Sequence, residues 1–399
     1  MKFCQICKKK NCKKIINFGY YPVSHRFNNG KSVNEKFPLE LGQCKSCGLV
    51  QLMRFVPLEK LIPKYDWITY NEPEEHLDHL SKIIFKLPGI NKKSKICGVS
   101  YKEDSLLDRL KKIGFKNIWR LDMKKDLNIN NKKANLETIQ NKINKENANR
   151  IKKKYGFQDV IIVRHMLEHT HKTLEFMSAL KNIIKKNGYI IFEVPDCTKG
   201  FQINDYNTLW EEHVLYFTDV TFKSSLKLAG FKFHYFEKYN YPFESVLIGI
   251  VQPDKINRKK IINIKDKILK KEKKRLKFSQ YKLLKKRKKL KIFLKNFKSN
   301  DNKIAIFGTG HAACLFVNLF NLKGLIDIAV DDNKKKIGYF IPGSNIPICS
   351  SKNLNSKKIN LCILCVSSDS ERKIIKKNVL FKKNGGIFVS IYPSSKYAI

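Results

Sequence analysis

Acidic side chains are scarce in this sequence. Its 399 residues hold 35 Asp and Glu against 80 Lys and Arg, which leaves a formal net charge of +45. Long apolar runs are missing too: nothing approaches the roughly 20 residues that a membrane-spanning helix needs. The opening residues, Met1-Lys2-Phe3-Cys4-Gln5-Ile6-Cys7, lack the apolar stretch of a secretory leader. Eleven cysteines are too few for a disulfide scaffold at this length. These absences argue against a membrane span and a stapled secreted fold, and a cytoplasmic location is expected.

What is present is globular. The 42 % hydrophobic and 11 % aromatic content argues against wholesale disorder, and the length suffices for two or three domains. The positive charge invites a nucleic-acid reading. Lysine, however, far outnumbers arginine and recurs with asparagine and isoleucine everywhere, loops included. A dedicated binder concentrates charge on one element and favours arginine for phosphate and base forks. The excess therefore reads as a compositional default, and no specific nucleic acid is implied. Such a surface still steers anionic substrates inward.

The cysteines that do pair by spacing sit near the start. Cys4-x-x-Cys7 and Cys44-x-x-Cys47 are two knuckles, and two such turns close a four-sulfur shell with no open position. The site reads as structural, with zinc as its occupant; Cys12 lies outside the pattern. An aromatic stretch follows, with Tyr65, Trp67 and Tyr70 among polar neighbours. Core packing and a pocket-lining loop are equally compatible with it.

From about Ser94, short apolar runs alternate with helical segments. SKICGV, NIWRLDM, QDVIIVRH and YIIFEVPD read as strands, SLLDRLKKIGF as a helix, and LEFMSALKNIIKKNG as a helix closed by Gly188. This alternation specifies an α/β parallel sheet with helices on both faces. Ligands bind such sheets beyond the carboxyl ends of the strands. Gly98 after the first strand and Asp122 after the second then suit a nucleoside, with Ser100, Asp104 and Met166 in the adjoining loops. A turn glycine and a solvated aspartate are the plain alternative. Two histidine–carboxylate groups follow strand-like runs: Arg164 to His169, and Trp210-Glu211-Glu212-His213. A histidine beside a carboxylate can act as a base near neutral pH.

Lys255 to Asn300 is saturated with lysine and carries leucine and isoleucine at helical spacing, so one or two amphipathic linker helices are expected. Beyond it, the strand Lys303 to Phe307 runs into Gly308-x-Gly310-x-x-Ala313 and a helix, and a second strand ends at Asp331. That is a dinucleotide fingerprint in its usual context. His311 inside the turn would crowd a pyrophosphate, so contact with a nucleotide-linked sugar is preferred to NAD.

These residues resemble the sugar C-methyltransferases of deoxysugar biosynthesis over nearly the whole chain. The resemblance lies in the two knuckles, Leu167-Glu168-His169, Glu193-Val194-Pro195, Glu212-His213 with Tyr216-Phe217, Gly308 to His311, Asp331-Asp332-Asn333 and Pro342-Gly343. It implies a zinc-binding module over 1–70 and a class I methyltransferase sheet over 71–252. A basic helical linker over 253–300 and a second Rossmann-like domain over 301–399 complete the chain. It also implies S-adenosylmethionine as methyl donor and a nucleotide-linked sugar as acceptor. Glu212 and His213 would be the base apparatus, and His169 would polarise a keto oxygen. Tyr65, Tyr70 and Trp210 would line the sugar pocket, with Gly308, Gly310, His311 and Asp331 completing it. The chain departs from the family pattern at Cys97 to Ser105, where a glycine-rich loop is replaced, and at Trp210 and Glu211, which stand for a tyrosine and a histidine. A monomer or dimer is expected, and a non-methylating or NAD(P)-linked sugar-nucleotide enzyme is the alternative.

Overall fold

The computed structural model describes residues 2–30, 34–65, 72–254, 265–356 and 358–399. Three sheets organise the chain. The first is antiparallel and begins with β1 (Cys12–Pro22), β2 (Lys36–Cys44) and β3 (Val50–Leu52). Cys12 pairs in register with Cys44, so the strand start and the second knuckle lie side by side.

The middle sheet takes up the apolar runs in order. β4 (Lys95–Gly98), β5 (Asn117–Arg120), β6 (Gln158–Arg164) and β7 (Ile184–Asp196) are parallel. Val160 to Val163 are fully buried, as strands covered on both faces must be. The helix Asp104–Ile113 buries Leu106, Leu107 and Leu110 and stops at Gly114, whose φ of 106° suits the left-handed cap. One boundary differs from the sequence reading. The helix beginning at Thr173 ends at Ile183, and Gly188 lies inside β7, not at a helix end. A side chain at Gly188 would meet Asp159 O and Ile184 Cγ1 at 2.9 Å, so close strand packing explains that glycine.

After β7 the chain leaves the sheet and forms β8 (Leu215–Tyr216), which pairs with β3 through Val50 and Tyr216. The first sheet therefore has the order β1-β2-β3-β8 and is completed by a strand from the middle of the sequence. β9 (Phe231–Tyr239) and β10 (Ser245–Pro253) return as an antiparallel edge, giving β5-β4-β6-β7-β10-β9.

Among the described residues of the linker are two helices, Lys265–Arg275 and Gln280–Lys298. The second buries Leu283, Leu290 and Leu294 along one stripe and leaves its lysines outside. The last domain is all parallel: β11 (Lys303–Phe307), β12 (Ile328–Asp331), β13 (Ile348–Ser350), β14 (Ile359–Leu364) and β15 (Ile387–Ser390), in the order β13-β12-β11-β14-β15. One apolar core joins it to the first sheet: Phe18 of β1, Tyr206, Phe278 and Phe320 pack together. Among the described residues no helix is long and apolar enough to cross a membrane.

The turn after β11 is tightly specified. Gly308 has φ of 88°, and an added Cβ would lie 2.5 Å from Val366 Cγ1 and 3.0 Å from Cys365 O. Gly310 has open space around it. Gly308→Ala is expected to lose about 1–3 kcal/mol of stability by denaturant unfolding, while Gly310→Ala stays within about 0.5 kcal/mol of the parent. Equal effects would contradict this reading of the turn.

Candidate active site at a cavity shared by two sheets

The knuckles come together as the spacing requires. Cys4 Sγ and Cys47 Sγ are 3.6 Å apart, Cys7 Sγ and Cys44 Sγ 3.5 Å, and all four lie within 4.8 Å of one another. Sulfurs about 2.3 Å from a tetrahedral zinc are separated by about 3.8 Å, so the shell fits that ion. Both knuckles close alike. Lys8 N–H donates to Cys4 O and Gly48 N–H to Cys44 O, and Lys8 and Gly48 both take positive φ. This closed shell is structural, and what it supports is a sheet. Leu52 N–H donates to Val214 O, and Val214 N–H donates to Glu168 O, which ties the Trp210 to Tyr216 loop to the zinc module on one side and to the loop after β6 on the other.

The carboxyl edges of the middle and last sheets face a common cavity of about 690 Å³. In each sheet the strand order reverses beside the first strand, between β4 and β6 and between β11 and β14. The loops after those strands, carrying Lys102, His165, Gly308 and Ser367, line the cavity.

Glu193 organises the middle-sheet edge. It is fully buried at the end of β7 and accepts from Arg164 Nε at 2.6 Å and from a second Arg164 nitrogen at 3.0 Å. His165 Nε2 lies 2.9 Å from the same carboxylate, and His76 Nε2 3.4 Å. Burial alone would raise the Glu193 pKa, but the Arg164 guanidinium and the two imidazoles outweigh it and hold it well below the usual range. His165 sits at φ of 47°, a left-handed position unusual for a side chain of that size. Burial would lower its pKa; the carboxylates of Glu72, Glu168 and Glu193 overcome this and raise it to about 10.

A second histidine–carboxylate cluster fills the wall between the two sheets. His169 Nδ1 lies 2.7 Å from Glu137 Oε1, and the His169 and His213 rings stand edge to face at 4.6 Å. His25 Nε2 lies 3.3 Å from Glu212 Oε1. Burial would depress the His169 pKa, but Glu137 holds it above the usual value. His213 is held well below, by burial and then by the neighbouring His169, His311 and His165. Glu212 is pushed well above, by burial and then by Glu137 and Glu211. The cluster thus sets an imidazole held toward its charged form at 169 beside a neutral one at 213 and a carboxyl held toward its uncharged form at 212.

Comparison with known proteins adds three matches along the chain. A model described as a zinc binding domain matches residues 4–61, a methyltransferase domain matches 86–235, and a C-methyltransferase C-terminal domain matches 250–393. The curated C-methyltransferase NovU of Streptomyces niveus is 18 % identical over 220 residues, covering 54 % of this chain. The match spans 52 % of NovU, about half its length. Among solved structures, a 1,6-didemethyltoxoflavin-N1-methyltransferase of Burkholderia thailandensis, bound to S-adenosylhomocysteine, is 9 % identical with a TM-score of 0.31, over 46 % of this chain and 80 % of that one. An S-adenosylmethionine-dependent methyltransferase of Clostridium acetobutylicum is 10 % identical with a TM-score of 0.31, over 46 % and 94 %.

The anticipated residues separate into two groups. Glu212, His213, His169, Trp210, Gly308, Gly310, His311 and Asp331 all line the cavity. His311 does not crowd the turn: its ring stacks on Trp210 at 4.3 Å, across the two domains. The Asp331 carboxylate is engaged by Thr309 N–H at 3.0 Å, Thr309 Oγ1 at 2.6 Å and Lys336 Nζ at 2.9 Å. Tyr65 stands off the cavity, donating to Phe27 O and packing on Tyr339, and Tyr70 and Trp67 lie outside the described residues.

Gly98, Ser100, Asp104, Asp122 and Met166 do not line the cavity. The hollow above Gly98 is filled by Glu103 and Leu107, whose atoms come within 3.0 Å of where a Cβ would stand. The Glu103 carboxylate accepts from Ser100 N–H and Oγ and from Arg164 N–H, so the Ser100 amide of this turn is engaged within the chain. Val99, Leu121 and Met166 join the apolar core beneath it. Asp104 pairs with Arg120 at the surface, and exposed Asp122 accepts from Lys125 N–H. The methyl donor therefore does not fit the position inferred from Gly98 and Asp122. Glu72 and Lys102, paired at 3.0 Å, line the cavity together with Tyr101 and Tyr241.

Sequence reading overlooked His25, Glu137 and the role of Glu193. Glu137 follows a lysine- and asparagine-rich stretch with no motif, and His25 follows β1, so only tertiary packing marks them. Two substitutions test this description. Cys44→Ser should abolish stoichiometric zinc by metal analysis and loosen the Trp210 to Tyr216 loop in hydrogen exchange; retained zinc would contradict the four-sulfur shell. Glu193→Gln, which removes the buried counter-charge shared by Arg164 and His165, should cost about 3–5 kcal/mol in denaturant unfolding.

Proposed function

We propose that the chain transfers a methyl group from S-adenosylmethionine to a carbon beside a keto group of a nucleotide-linked sugar. One observation carries the reading: the carboxyl edges of two nucleotide-type sheets share a cavity whose dividing wall is an acid–base cluster. The volume of about 690 Å³ falls within the range of small-molecule sites.

The donor, when bound, supplies an electrophilic methyl group. Glu72 and Lys102 suit its ammonium and carboxylate ends, and Glu168 suits its positive sulfur. The hollow above Gly98 being filled, the donor is reached from the cavity side. Gly308 to His311 open a helix at His311–Phe320, whose N-terminus suits a diphosphate. His213, neutral and facing the cavity, takes the proton from the carbon next to the keto group. His169, kept charged by Glu137, donates toward the keto oxygen and stabilises the negative charge that develops there. Glu212 is held uncharged, so of the Glu212–His213 pair only the imidazole carries a basic lone pair.

A second reading, a sugar-nucleotide enzyme without methyl transfer, is favoured by the filled hollow at Gly98. Titration calorimetry with S-adenosylhomocysteine separates the two. Binding supports methylation; silence at millimolar ligand, with a nucleotide-linked sugar still bound, supports the second reading. Under the first, His213→Ala lowers turnover by about 10²–10⁴ with the fold and zinc retained. Unchanged turnover would remove His213 as the base.

A further inference from the structure

The wall of the cavity holds three ligand-type atoms that converge on one another. His169 Nδ1 and Glu137 Oε1 approach to 2.7 Å, yet His169 Nδ1 makes no aligned hydrogen bond. Glu212 Oε1 is buried and likewise has no hydrogen-bond partner. Its neighbour His25, 3.3 Å away, directs Nε2 at Leu61 O, 2.9 Å distant. Atoms from Glu137, His169 and Glu212 all lie within 4.8 Å of one another, and each residue is about 2 % exposed. Adjacent ligands at about 2.1 Å from an octahedral ion are separated by about 3 Å, so this convergence is the spacing of ligands around a cation.

We propose that Glu137, His169 and Glu212 bind one divalent cation of the Mn²⁺ type at the cavity wall, separate from the zinc of the cysteine shell. Two carboxylates and one imidazole select a hard-to-borderline ion over the soft metals drawn to thiolates. All three residues line the cavity, so the remaining positions of the ion open toward the substrate space. There it takes over from His169 the polarising of a substrate oxygen, while His213 keeps its neutral lone pair. That role rests on the methyl-transfer reading; binding of the ion does not.

The test uses the full, zinc-loaded chain and Mn²⁺, with free Mn²⁺ followed by electron paramagnetic resonance. One Mn²⁺ per chain beyond the zinc is expected. Glu137→Gln and Glu212→Gln should each weaken binding at least tenfold, with circular dichroism and zinc content checked for both. His169→Gln is a third variant should either fail to fold. No binding by the wild-type chain at millimolar Mn²⁺ overturns the proposal, as does equal binding by all variants. Full methyl transfer in enzyme shown to be free of any second metal removes the ion's catalytic role and leaves the methylation reading standing. Mn²⁺ binding without S-adenosylhomocysteine binding does the reverse.

Discussion

A fully buried carboxylate at the end of β7 holds the middle sheet's functional edge together. Glu193 cannot be left uncompensated in an apolar interior, so the fold surrounds it with Arg164 and two histidines. Arg164 in turn donates from its guanidinium to Lys102 O and from its amide to Glu103, so one residue ties the ends of β6 and β7 to the loop after β4. The left-handed backbone at His165 is held by this arrangement. It turns Glu168 and His169 into the cavity wall.

The same network explains why the turn after β4 does without glycines. In a ligand-facing turn the amides are left for the ligand. Here Glu103 serves them from within the chain, and Ser100 completes a capping box with it. Burial lifts the Glu103 pKa to about 7, opposed by hydrogen bonds from Arg164 and Ser100. The turn is thus internally satisfied and packed, and ligand space is displaced toward the last domain.

Much of this architecture could be read from residue order. Apolar runs located β4, β5, β6 and β7 of the middle sheet and β11 and β12 of the last, Gly308 marked a turn that takes positive φ, and knuckle spacing located the sulfur shell. The failures have physical causes. Gly188 resembled a helix stop because a glycine needed for tight strand packing looks the same in sequence. The two-residue β8 is too short to carry a period, and it is stable only because β3 pairs with it. Glu137 and His25 carry no local pattern, and their chemistry arises only from what the fold sets beside them. The amphipathic linker helix, by contrast, was legible: Leu283, Leu290 and Leu294 pack inward while the lysines stay outside.

Because β8 belongs to the first sheet, the metal shell and the acid–base wall are mechanically one object. The route from sulfur to imidazole is short: knuckle to β3, β3 to Val214, and Val214 to Glu168. A cell starved of zinc would then lose function before it lost the protein, since the parallel sheets could stay folded around a displaced loop. The chain would report metal scarcity as silence of the enzyme, without first being degraded.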